Sequence, residues 1–284
     1  MLARLISLVA LTYSSAAHAA ADPLQPTSKW IVNFADAQCI ATRNYGTEAD
    51  PLYLVFKAPV IGDTIQLGIV RKGGELSAGQ LSGELIFDDA VPVKTSFLEF
   101  GLKSMGQRAR FVNLAAREVG SLRQSKTIRV RIRDKGIERL GTRLGLGLAT
   151  GEDAFAVTQM PALLDTLRKC AADLATTWHP WDKEKGGTGL KEGPSANLAQ
   201  LFSSDDYPGI AAVKGQQGRV ALVVLVDEAG KVADCTVIET SGVASLDAQS
   251  CSVIKQGAKY KPAVGTDGKA TKSAIIQTIS WKMF

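Results

Sequence analysis

Residues Gly218 to Val226 read GRVALVVLV, an unbroken apolar, β-branched run that stops at Asp227-Glu228-Ala229-Gly230. The run is too short for a buried helix and stiff at χ1, so it predicts a buried strand entering a hairpin. Val232 to Thr240 is the return strand. After Ser241-Gly242 the apolar period changes to that of a helix: Leu246, Val253 and Ile254 share one face. Ser245 is placed to cap this helix, Asp247 suits its positive first turn and Gly257 ends it. Tyr260-Lys261-Pro262 breaks the helix. Ser273 to Lys282 then alternates as a last strand, with Ile275, Ile279 and Trp281 on one face and Ala274, Ile276 and Thr278 on the other. From Asp206 to Phe284 the predicted order is strand, strand, helix, strand.

Five short motifs lie along that order: Tyr207-Pro208; Gly215-Gln216-Gln217-Gly218-Arg219-Val220; Val226-Asp227 with Gly230; Val237 to Gly242 with Leu246-Asp247; and Tyr260-Lys261-Pro262-Ala263. In this order and spacing the segment resembles the C-terminal domain of TonB-type energy transducers. The resemblance implies a small ββαβ domain that contacts outer-membrane receptors in the periplasm by offering a sheet edge to an extended segment of the partner. An edge strand carries unpaired N–H and C=O groups, so a visiting strand gains main-chain hydrogen bonds while side-chain pockets select it. In that family the last strand is the one offered. Here it corresponds to Ser273, Ala274, Ile275, Ile276, Gln277, Thr278, Ile279, Ser280 and Trp281, with Tyr207 and Pro208 nearby.

Two features depart from the transducer pattern, which has a retained membrane helix and a long proline-rich spacer: the N-terminal segment reads as cleavable, and a β domain with a short linker stands in place of the spacer. Met1 to Ala21 carries Arg4, an apolar run from Leu5 to Tyr13 and small residues ending in Ala17-His18-Ala19. It reads as a secretory signal cut after Ala19, and the apolar run is short for a bilayer span. If uncut, it restores the membrane-anchored transducer reading. No later segment is apolar for long enough to suggest a transmembrane helix.

Four cysteines follow the signal, which suits an oxidising compartment and allows three pairings. Cys235 falls on the return strand and Cys251 on the flank of the covering helix, so a bridge between them would staple helix to sheet. Cys39 and Cys170 remain to pair in the first domain. No cysteine stands in a C-x-x-C and His179 is the only histidine after the signal, so no metal site is expected.

Lys29 to Phe34, Leu52 to Lys57, Thr64 to Val70, Gly83 to Phe87, Val93 to Phe100, Ala109 to Asn113 and Thr127 to Arg133 are short candidate strands divided by Gly, Pro and Asp, the spacing of a sandwich or barrel. Pro161 to Thr176 then follows the helical rhythm through Leu163, Leu164, Leu167, Cys170, Ala171 and Leu174. The stretch after Trp178-His179-Pro180-Trp181 is rich in charge, glycine and proline and reads as a linker. The fold class is therefore α+β. A signal (1–19), a mainly-β sandwich or barrel-like domain with a C-terminal helix (22–178), a linker (179–205) and the TonB-like domain (206–284) follow in order.

The formal net charge of +5 is modest. Its densest part is Arg129, Arg131, Arg133 and Lys135, which alternate with Ile128, Val130 and Ile132 and so share one strand face. That face is either a solvated surface, the plainer reading, or a site for anionic envelope components or an acidic partner. Nucleic acid is not an expected partner of an exported chain. Gly145-Leu146-Gly147 with Gly151 has the wrong glycine spacing for a nucleotide loop, and no cofactor is expected. A lone His179 in a linker lacks a triad, and Asp205-Asp206 before Tyr-Pro suits a turn, so no catalytic residue is assigned. An acid–base enzyme assembled from distant carboxylates is one rival. The sequence points to a periplasmic protein that binds outer-membrane receptor or other envelope protein segments by strand addition, related to TonB-dependent transport. The other rival is a structural envelope protein whose C-terminal domain forms a homodimer.

Overall fold

The structure is a computed structural model that describes residues 22–73, 79–102, 106–133 and 151–283. The expected secretory segment, Gly145-Leu146-Gly147 and Lys135 lie outside the described residues.

Strands β1 (Ile31–Ala35), β2 (Gln38–Asn44), β3 (Leu52–Ala58), β4 (Ile65–Lys72), β5 (Gly79–Phe87), β6 (Val93–Leu102), β7 (Gln107–Leu114), β8 (Thr127–Arg133) and β9 (Glu152–Ala156) form one antiparallel sheet. Their order is β1-β2-β3-β4-β7-β6-β5-β8-β9. There is a single sheet here, not the two facing layers of a sandwich. Each strand alternates, and one face must leave water, so the sheet curls around its own apolar side. Leu54, Phe56, Leu67, Ile69, Leu85, Phe97, Val112, Val130 and Phe155 meet in one core. The curl brings β4 to β9, where Arg71 and Asp153 pair at 2.5 Å. Leu24 bridges to Phe155 on β9 and the Thr27 N–H donates to Asn44 on β2, so the first described residues span the gap between the two ends of the sheet.

Helix α1 (Ala116–Gln124) follows β7, and α2 (Met160–Trp178) closes the core with Leu163, Leu164, Leu167, Cys170, Leu174 and Trp178. Pro161 sits in its first turn, where a missing N–H costs nothing. Cys170 is bonded to Cys39 on β2, with Cα atoms 5.9 Å apart. The strands β2 and β9 and the helix α1 were not expected from the sequence. In β9 the polar residues Glu152 and Asp153 mask the pattern, because both serve as partners to arginines.

The C-terminal unit is built on β12 (Gly218–Val226), β13 (Val232–Glu239), helix α4 (Ala244–Gly257) and β16 (Ser273–Trp281), the expected ββαβ order. β12 is central, between β16 and β13. Val220, Leu222, Val224 and Val226 face α4 with Leu246 and Ile254. Val223 and Leu225 turn the other way and join the first core together with Ala274. Burial on both faces is why this strand shows no polar alternation. Gly230 turns the β12–β13 hairpin at φ +76°, and a Cβ there would stand 2.0 Å from the Tyr260 carbonyl oxygen. Cys235 and Cys251 are bonded with Cα atoms 5.6 Å apart, joining β13 to α4. Asp234, almost fully buried, accepts from Lys57 Nζ at 2.7 Å and from Gln38 Nε2 at 3.3 Å, tying β13 to the curled sheet. Among the described residues no helix is long and apolar enough to cross a membrane.

The cap of α4 differs from expectation. Its N-cap is Val243, which has no side-chain hydrogen bond to give, and Ser245 lies inside the first turn near Gln80 Oε1 at 3.3 Å. Asp247 instead reaches back: its Oδ1 accepts from the Ser241 N–H at 2.8 Å and Oγ at 2.7 Å, and its other oxygen accepts from the Thr240 hydroxyl. Burial nevertheless pushes the Asp247 carboxyl above its usual range, outweighing those hydrogen bonds. A raised folded-state value means that this group's contribution is full below the unfolded value of about 3.9 and is lost as pH rises through the folded one. Asp247→Asn keeps the Oδ1 acceptor and carries no charge to desolvate. Its stability relative to the parent should rise with pH from about 3.9 upward, read by urea unfolding across pH 3 to 7. A flat difference would remove the buried charge as the cause.

Candidate partner-binding edge

β16 pairs with β12 along its whole length, from Ser273 opposite Val226 to Trp281 opposite Gly218. Its outer flank is occupied only at its start. There β10 (Pro180–Trp181) runs parallel to it, Pro180 opposite Ala274 and Trp181 opposite Ile275. The flank expected to be open from Ser273 therefore begins at Ile276. The chain leaves the edge at once, because Asp182 and Gly186 exchange backbone hydrogen bonds and Asp182 Oδ1 accepts from the N–H groups of Glu184 and Lys185, closing a tight Asx-type turn. Those same bonds hold the exposed Asp182 carboxyl below the usual range.

The stretch read as a linker thus contributes structure. Trp178 is buried in the first core, whereas Trp181 packs against the second. The Trp181 indole lies on Gly193, where a Cβ would stand 2.1 Å from the ring. A short three-stranded sheet of β11 (Leu190–Glu192), β14 (Ala263–Gly265) and β15 (Ala270–Thr271) lies beyond it. His179 is the left-handed residue that ends α2, at φ 38°.

From Ile276 to Trp281 no strand lies along the outer flank of β16 among the described residues. Ile275, Ile279 and Trp281 point into the second core. Ala274 faces the curled sheet, but Ile276, on the same side of the strand, is 41 % exposed, and Thr278 and Ser280 are exposed after it. β16 therefore projects past its support at Ile276, with its edge and its own side chains on this face open to water, while Val223 and Ala221 beside it on β12 stay buried.

At the far end of this run lies a groove of about 570 Å³ lined by Phe202, Tyr207, Ala212, Ile279, Trp281 and Met283. Trp281 anchors it: the indole N–H donates to Ser250 Oγ at 2.9 Å, and the rings of Tyr207 and Phe202 meet it edge to face at 5.2 and 5.6 Å. The Tyr207 hydroxyl donates to the Gln216 carbonyl at 2.6 Å. Asp206 accepts from Ser203 N and Oγ at 2.8 and 2.9 Å, so it closes the turn that carries Tyr207. Pro208 begins α3 (Gly209–Val213), its carbonyl accepting from Ala211 and Ala212. Ile210 and Val213 on α3 and Met283 remain exposed. The sequence singled out Tyr207 and Trp281 but missed Phe202 and Met283, whose neighbours are polar and give no period.

The basic stripe on β8 resolves differently. Arg131 pairs with Glu84 on β5 and Glu152 on β9, and Arg129 with Glu152, so these two cations are used within the sheet.

Residues 204–283 match the family model described as the Gram-negative bacterial TonB protein C-terminal. This segment, with its ββαβ order and terminal edge strand, is a TonB C-terminal domain, and the match does not extend to the curled sheet. No curated protein matches the chain.

Proposed function

We propose that this is a periplasmic protein that holds an extended segment of another envelope protein, such as an outer-membrane TonB-dependent receptor, along β16. The visiting strand pairs from Ile276 to Trp281, directly beyond β10, and sets an apolar side chain in the groove between Phe202, Tyr207 and Trp281. The carrying observation is the short internal occupant: β10 covers only Ala274 and Ile275, and the strand then runs bare into an aromatic groove. Backbone groups left bare at an edge gain hydrogen bonds from any incoming strand, and the groove supplies the choice among strands. The two disulfides fit an oxidising compartment. The protein works by contact, with no reaction assigned to it.

Titrating the labelled protein with peptides from receptor N-termini should shift the amides of Ile276 to Trp281 and leave β13 unmoved. Tyr207→Ala, which removes the ring packed on Trp281 and so one wall of the groove while leaving the β16 backbone in place, should weaken binding about tenfold, the scale of a moderate aromatic anchor. Shifts confined to other strands would defeat this reading. Shifts that grow with protein concentration and ignore peptide would favour self-association through the same edge.

A further inference from the structure

The curled sheet has an interior side, marked on β4 by Ile65, Leu67 and Ile69 and on β7 by Val112 and Leu114. Because side chains alternate, Arg71 on β4 and Arg108 and Arg110 on β7 continue that same side toward one end of the sheet. Three arginines therefore succeed the apolar core at this end. Two have carboxylates: Arg71 meets Asp153 at 2.5 Å, and Arg110 Nε donates to Glu99 at 2.6 Å. Arg108 has none among the described residues. It stands directly opposite Arg71 in the register, a placement in which like charges repel across about 5 Å. On its other side the partner residue is Gly101, which offers no side chain. Its stem lies over Gly73, where a Cβ would be 2.9 Å from its Cγ, so the missing side chain at Gly73 is what admits it.

Two buried donors are left over in this cluster. The Nε–H groups of Arg71 and Arg108 are both removed from water and neither has an acceptor among the described residues. A buried N–H without an acceptor costs about 1–3 kcal/mol, and a guanidinium more. Such a cluster, with one cation in surplus among the described residues and orphaned donors on adjacent strands, is stabilised by an acceptor that is itself negative and has several oxygens. We propose that this end of the curled sheet binds a small oxyanion, a phosphate or a carboxylate-bearing metabolite, held between Arg71 and Arg108. This site is separate from the β16 edge and does not depend on it.

The test compares the full chain in citrate, in inorganic phosphate and in chloride at matched ionic strength. Citrate or phosphate should raise the thermal midpoint above chloride, and calorimetric titration of the parent should give one saturable site. Arg108→Met, which keeps the stem over Gly73, should abolish the anion response while being at least as stable as the parent in chloride, since it removes a repulsion. Arg131→Met, on the outer face, should keep the response. A response to phosphate alone assigns a phosphate site, and one to citrate alone a carboxylate site. Equal midpoints in all three salts, no saturable heat from the parent, or an undiminished response in Arg108→Met would each overturn the proposal. Should Arg108→Met not fold, Arg108→Gln and the parent titration decide it, with at least about tenfold weaker binding expected in the glutamine variant.

Discussion

Replacing both Cys39 and Cys170 by alanine should lower the unfolding free energy by about 5 kcal/mol, on the chain-entropy scale for so long a closed loop. The bond joins residues 131 apart, from β2 to α2, and α2 is the element that covers the core of the curled sheet. Without it, the denatured chain regains the freedom that the bond removes. Cys235 and Cys251 are only 16 apart, so the same replacement there should cost about 3 kcal/mol. Alanine is the right substitute because Cys39 and Cys170 are both essentially inaccessible, and a serine hydroxyl would be buried without a planned partner. Urea unfolding of the two paired variants checks the ordering. A larger loss from the Cys235/Cys251 pair would show that local packing, and not loop closure, sets the cost.

The second large effect is expected at Lys57. Its ammonium lies 2.7 Å from Asp234, whose side chain is only 4 % exposed, and Lys57→Met leaves that carboxylate in place without its nearest cation. Breaking one side of a buried pair costs about 3–5 kcal/mol. The lower figure applies here, because Lys255 remains at 3.6 Å and Gln38 and Thr236 still donate. Adding Asp234→Leu should return only part of the loss, since it removes the unpaired buried charge but also the acceptor of Gln38, Thr236 and Lys255. A double-mutant cycle by urea unfolding measures both steps. Additive losses would mean that the two residues act separately.

Much of the C-terminal domain is legible from residues close together in the chain. The apolar run of β12 is bounded by its turn, the period of α4 changes visibly after Gly242, and β16 alternates along its length. The pairing Cys235–Cys251 follows once strand and helix are placed, because a helix covering that sheet brings its flank to the strand. β8 and α2 were readable for the same reason. β2 and β9 were not: polar and charged residues interrupt their apolar pattern and find their partners only across the sheet, as Glu152 does with Arg129 and Arg131. The cap of α4 failed for a related reason. A serine near a helix start is a common signal, yet here an aspartate inside the first turn bonds backward to Ser241 and Thr240.

By itself the sequence determined that β12, β13, β16 and most strands of the curled sheet are extended, that α2 and α4 are helical, which of their side chains must leave water and which cysteines lie within reach of each other. Each of these follows from a period of two or 3.6 residues and from local backbone preference. Only the tertiary structure decided that Pro180–Trp181 covers Ala274 and Ile275 on the β16 flank, and that Trp178 and Trp181 fasten to different cores. It alone set Arg108 against Arg71, with no carboxylate on Arg108 among the described residues. Those are contacts between residues far apart in the chain, and their free energy depends on packing that no local period records.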